Sequence, residues 1–230
     1  MKLADLKRAR QKHGWRQVEA ARRLGVSQPY LAMLESGKRN LTEELERKAA
    51  LAYGLSPEEL PVQPTFVPAG EVGPQRWAAE LSQLDYPGFA YVRSHLKRRN
   101  PAEVLLGALA QDKLEARTAE ALPWLLLRYW RMDFDWLVDQ AKRFDLQNRL
   151  GFVVSLALRV SEGAAEEERT TALAKLEAKL NYSRLAREDC FPRPPRKNAE
   201  RKWLMRTRSE EARHWNMLTD LRPEHLQYAE

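Results

Sequence analysis

An all-α protein of two domains is expected from three features of the chain. Glycine is scarce at 10 of 230 residues, while Leu, Ala, Arg and Glu dominate, a bias towards helix. Few segments show the period-two, β-branched pattern of strands. The stretch PVQPTFVPAGEVGP carries four prolines and two glycines and almost no charge, which reads as a linker or an extended arm. The expected organisation is a small domain over 1–60, a Pro-rich linker over 61–75 and a larger helical domain over 76–230.

Five short helices fit the first domain. The first covers about 2–12, with Leu3, Leu6 and Ala9 on one face. The second covers about 16–24, with Val18, Ala21 and Leu24 inward. Gly25 supplies the positive φ that a tight turn needs, and Ser27 caps the third helix with Pro29 in its first turn. Leu31 and Leu34 give that helix a buried face, and Ala20 and Ala21 are small enough for a close crossing. Thr42 caps a fourth helix, whose early Glu43, Glu44 and Glu46 suit its positive end; Gly54 stops it. Ser56-Pro57-Glu58-Glu59 opens the fifth with a cap, an N1 proline and an N3 acid.

Helices are then expected at about 76–84, 88–98, 101–110, 113–121, 123–131, 134–144, 146–161, 165–187, 198–214 and 223–229. Asn100-Pro101-Ala102-Glu103 is the clearest start signal. Trp124, Tyr129, Trp130, Phe134, Trp136 and Phe152 crowd into about thirty residues, which is usual for a core. Leu150, Val153, Val154, Ala157 and Val160 recur at helical spacing as a buried seam. Trp203 and Trp215 are expected to pack rather than to stack on bases.

Two helices joined by a tight turn, the second capped and followed by basic Lys38-Arg39-Asn40, suit a module that lays its second helix in the major groove. The stretch resembles the Cro/Xre-type helix-turn-helix regulators. The resemblance covers about residues 2–60 and rests on Gln17, Ala21, Leu24-Gly25-Val26-Ser27, Leu34-Glu35-x-Gly37 and Gly54-Leu55-Ser56-Pro57. It implies a five-helix DNA-binding domain acting as a homodimer on a near-palindromic operator in double-stranded DNA. By position, the resemblance implies that Gln28, Pro29, Ala32 and Met33 face the bases. Gln28 is the best reader, because a carboxamide bonds adenine N6 and N7 together. The resemblance likewise implies that Gln17, Tyr30, Lys38, Arg39 and Asn40 meet phosphate, with Tyr30 also within reach of a base. The resemblance further implies an ion pair between Arg10 and Glu35, joining the first and third helices.

Charge agrees with a polyanionic partner. Residues 1–60 hold 12 Lys/Arg against 8 Asp/Glu, residues 61–180 hold 16 of each, and residues 181–230 hold 11 against 8. The basic ends flank a neutral middle. From Arg193 to Arg208 seven cations face only Glu200, and Arg196, Lys197, Arg201 and Lys202 are candidates for accessory phosphate contacts.

Other functions find little in the residues. Asp133 and Asp135 read as a helix cap and a first-turn charge rather than an acid/base pair, and His13, His95, His214 and His225 are scattered. Cys190 is the single cysteine, which rules out an intrachain disulfide and a Cys-based metal site. No phosphate-cradling glycine motif is present, so no catalytic residue, cofactor or metal is expected. The N-terminal residues have no apolar signal region and no apolar run approaches membrane-spanning length, so a cytosolic protein is expected. The expected function is that of a sequence-specific transcription regulator, acting as a repressor. The segment DWLVDQAKRFDLQNRLGFVV resembles C-terminal parts of abortive-infection type IV antitoxins, which keeps an alternative open. In it the second domain neutralises a toxin or defence protein and the chain represses its own operon.

Overall fold

A computed structural model of the chain describes residues 3–163, 166–226 and 228; the side chains of 3–5, 43 and 47 lie outside the description, which takes in Leu3 of the expected first-helix face. Apolar residues at helical spacing, punctuated by caps, produce an all-α architecture that divides into two units, Met1–Gln63 and Pro64–Glu230.

The first unit contains α1 (Leu3–Lys12), α2 (Gln17–Leu24), α3 (Gln28–Glu35) and α4 (Glu43–Ala52). A single 3-10 turn, Pro57–Glu59, stands where a fifth helix was expected. Gly25 ends α2 in the left-handed conformation at φ 69°, so the chain can reverse at once into α3. The Ser27 hydroxyl accepts from Tyr30 N at 3.3 Å, and Thr42 accepts from Leu45 N at 3.3 Å. Leu6, Ala20, Ala21, Leu24, Leu31, Leu34, Ala49 and Tyr53 form one core. Burial of Leu31 and Leu34 contributes about 1.5–3 kcal/mol each, and the alanines leave room for α3 to approach α2. Val18, expected inward, is exposed, because α2 turns its Ala20–Ala21–Leu24 stripe to the core instead.

The second unit contains α5 (Pro74–Gln83), α6 (Pro101–Leu109), α7 (Ala116–Arg128), α8 (Phe134–Arg143), α9 (Gln147–Glu162), α10 (Glu167–Asn181), α11 (Asn198–Thr207) and α12 (Glu210–His214). Its centre is α9. Leu150, Phe152, Val153, Val154, Leu156 and Ala157 are fully buried there, with α7, α8 and α10 packed around them. Val160, at the end of the expected seam, is partly buried against the same core.

Several local expectations are corrected. The segment 64–73 is not a free linker. Phe66 is buried, its N–H donates to Gln140 Oε1 at 2.9 Å, and its ring meets Phe144 edge-on at 5.5 Å. Val72 N donates to Gln111 Oε1 at 2.8 Å. Gln111 and Gln140 are buried polar side chains, and bonding an irregular backbone satisfies them. No helix forms over 88–98. After a 3-10 turn at Pro87–Phe89 the chain runs irregularly, because Ser82 Oγ donates to Val92 O at 2.8 Å and Gln83 Nε2 donates to Ser94 O at 3.0 Å.

The two helices expected at 113–121 and 123–131 are one, α7, with Pro123 inside it. The missing donor is tolerated because the flanking Leu122, Leu125 and Leu126 are held on all sides by the core. The expected helix 198–214 is broken at Arg208, where Ser209 accepts from Ala212 N at 3.2 Å and starts α12. The expected 165–187 helix ends at Asn181, and near 223–229 the described residues form a 3-10 turn, Pro223–His225. A parallel ladder of two-residue strands, β1 (Asp189–Cys190) and β2 (Met217–Leu218), was not foreseen.

Trp215 fills the space against α9. Its ring is fully buried and its Nε1 donates to Ser155 Oγ at 2.7 Å. A Cβ at Gly151 would lie 2.4 Å from that ring. Gly151→Ala therefore forces the indole or α9 to move. We expect a loss of about 1–3 kcal/mol, measured as a lower urea midpoint for unfolding of the second unit.

Candidate nucleic-acid interface

In the first unit the side chains that matter form one hydrogen-bonded series. Arg10 on α1 donates to Glu35 on α3 through two parallel bonds, Nε to Oε1 at 2.6 Å and Nη2 to Oε2 at 3.0 Å. Its Nη1 donates to Trp15 O at 2.9 Å. The side chains are 12% and 3% exposed, so this is the buried pair anticipated from the resemblance. Burial pushes the Glu35 carboxyl up; the bonds from Arg10 and Gln17 outweigh it and hold the group below its ordinary value. The bond to Glu35 raises Arg10 against the opposing effect of burial.

Gln17 continues the series. Its Nε2 donates to Glu35 Oε2 at 3.0 Å, and its Oε1 accepts from Gln28 Nε2 at 3.1 Å. The carboxylate can only accept, so it dictates which end of the Gln17 amide turns inward. Gln17 must then present its oxygen to Gln28, and Gln28 must present its nitrogen to Gln17. That leaves Gln28 an outward carbonyl oxygen and one spare N–H, the pair that an adenine edge takes.

The remaining sequence candidates surround this series. Gln28 and Pro29 are exposed at the start of α3, and Ala32 and Met33 are half-buried on the following turn. Tyr30 is half-buried with its ring against the core, so most of that side chain is committed to packing. Lys38, Arg39 and Asn40 are all exposed. Their loop is set by Gly37 at φ 74° and by Lys38 N donating to Met33 O at 2.9 Å, which turns the chain back past the end of α3. No side chain caps α2 at Arg16, so its first N–H groups are open to an anion. Arg23 lies over the Trp15 ring at 4.1 Å and bonds Glu19 at 3.0 Å, so it is not a free cation.

Residues 6–60 match the helix-turn-helix family model. The amino-terminal unit is a helix-turn-helix domain. It is the DNA-binding domain of a transcription regulator, with α2 and α3 as its two helices. No curated protein and no solved structure matches the chain. The antitoxin resemblance thus finds no support, and much of that segment, including Leu137, Val138, Leu150, Phe152 and Val153, is buried in the core of the second unit.

Sequence reasoning missed the Gln17–Gln28 contact, because two polar residues eleven apart carry no pairing signal until α2 and α3 cross. Among the accessory candidates, Arg201 is paired with Glu188, whereas Arg196, Lys197 and Lys202 are exposed. Trp203, expected to pack, is 52% exposed, because α11 buries only Leu204. Among the described residues no three His, Cys, Asp or Glu side chains converge as metal ligands would, and no helix is long and apolar enough to cross a membrane.

Glu35→Leu strands the Arg10 charge in the core. We expect about 3–5 kcal/mol of destabilisation, read as lost amide-exchange protection in α1–α3, and a smaller loss in the double variant Arg10→Met/Glu35→Leu. The wild-type pH dependence follows from the lowered Glu35 value. Its contribution is full above the ordinary carboxylate range and disappears as pH falls through the depressed folded value. Protection in α1–α3 should therefore decline with acidification, and the double variant should lack that component.

Proposed function

We propose that the protein is a sequence-specific transcription repressor that binds a near-palindromic operator as a homodimer. The observation that carries this reading is the orientation of Gln28: exposed, yet held through Gln17 by the buried Arg10–Glu35 pair. A pre-oriented carboxamide loses less freedom on binding, which favours discrimination over loose affinity. In this reading Gln28 takes an adenine, Pro29, Ala32 and Met33 give apolar contact, and Lys38, Arg39 and Asn40 clamp phosphates. Gln17 adds the amides at the start of α2, and Tyr30 plays at most a minor part. The second unit serves as the dimerisation or partner-binding body. A dimer is required physically, because one small headpiece buries too little surface to be selective, and the two α3 helices would lie about 34 Å apart on successive turns of the groove.

Gel shifts with the DNA upstream of the protein's own gene test this directly. Gln28→Ala should relax preference at one base pair in each half-site, with a loss of about 1–3 kcal/mol at that position. Arg39→Ala should weaken all sequences alike and reduce the salt slope by about 1. Sedimentation of the protein–DNA complex should give two chains per operator. Equal affinity for operator and scrambled DNA would end the proposal.

A further inference from the structure

The second unit carries its own cationic surface, on and before α11. From Arg193 to Arg208 the sequence has seven Lys or Arg residues against Glu200 alone. The structure divides them. Glu200 accepts from Arg193 Nη2 at 2.8 Å and from the Arg196 backbone at 2.6 Å, and Glu188 pairs with Arg201. The nearby carboxylates are thereby spent on Arg193 and Arg201. Arg196, Lys197, Lys202 and Arg206 are exposed, and among the described residues none of the four forms an ion pair. Lys202 and Arg206 lie one turn apart, and Trp203 precedes Arg206 by three positions, so the three side chains share one side of the helix. Leu204 is the single buried side chain of α11, which leaves that side uncovered by its own unit.

An exposed indole set among unpaired cations is costly to leave idle. It exposes apolar surface, and the like charges around it repel one another unless a polyanion neutralises them. We propose that this face of α11 is a second DNA-binding surface, which grips the phosphodiester backbone of duplex DNA through Lys202 and Arg206. Trp203 makes the apolar contact with sugar and base edges. The inference rests on the reading of the chain as a DNA-binding regulator and assigns this unit a direct part in it. Contacts of this kind carry no sequence information; they add affinity on every sequence and steepen its dependence on salt.

The test uses the full chain and a labelled duplex of scrambled sequence, titrated over a range of salt concentrations. Lys202→Gln/Arg206→Gln alters only exposed side chains, so the fold is expected to persist, as circular dichroism will show. The double variant should lower the log–log salt slope by about 2, with the preference for operator over scrambled DNA unchanged. Trp203→Ala should weaken duplex binding several-fold with the slope unchanged, because an apolar contact releases no counterions. A slope equal to wild type in the double variant overturns the proposal. So does tighter binding of a single-stranded oligonucleotide or of polyglutamate than of the duplex, if it is sensitive to the same substitutions. Loss of operator preference in the wild type would sink the base-reading function and leave the slope on scrambled DNA as a separate result.

Discussion

The amino-terminal domain depends on one buried ion pair. Arg10 and Glu35 come from helices twenty-five residues apart in sequence and meet through two parallel bonds with little solvent around them. A charge in that position is tolerable only if its partner and its remaining bonding sites are satisfied. Arg10 meets this demand with Trp15 O, and Glu35 meets it with Gln17. Satisfying the pair brings polar order to the surface: the acceptor-only carboxylate orients Gln17, and Gln17 orients Gln28. On the proposed function, stability and recognition are therefore coupled through the same four side chains. The neighbouring Tyr53 phenol, pushed up to about 12 mainly by burial and also by Glu35, stays neutral at ordinary pH and adds no charge to the arrangement.

The larger unit solves a different problem. Its helices bury a conventional apolar core around α9, yet long stretches of irregular chain must be fastened to it. Buried side chains that bond backbone do the fastening. Gln140 and Gln111 hold 64–73. Asn148 takes both the N–H and the C=O of Leu185, at 2.8 and 2.9 Å. Arg149 bonds Asp189 through two bonds and also the carbonyls of Leu109 and Gln111, each at 2.8 Å. Each of these groups would be costly if left alone in the core, and each is costly to remove for the same reason. In the fold that results, α11 is held at the surface with a single buried leucine, Leu204.

Much of the fold was legible, and the reasons are local. Gly25, Ser27, Thr42, Asn100-Pro101 and Asp133 act where their backbone preferences place them, and the helical spacing of Leu31 and Leu34 or of Leu150 and Val154 locates the core faces. The failures share another cause. Residues 88–98 have helical composition, but tertiary bonds from Ser82 and Gln83 draw them into an irregular path. Pro123 reads as a break, but packing on both sides carries α7 through it. The proline-rich stretch reads as a spacer because nothing local reveals that Gln111 and Gln140 wait for its backbone. In the site, the residue types and the basic loop were visible, whereas the contact that orients Gln28 was not.

The helical class, the capped turn at 25–27 and the concentration of positive charge at the two ends can be read from the residues alone. These follow from backbone preference, periodicity and composition, which act over a few residues. The packing of distant segments sets how Arg10, Glu35, Gln17 and Gln28 connect, which cations of the 193–208 tract have no ion-pair partner among the described residues, and that Trp203 faces solvent while Trp215 is sealed against Gly151. Those outcomes depend on which side chains a crossing of distant segments brings within bonding distance, and no local preference encodes that.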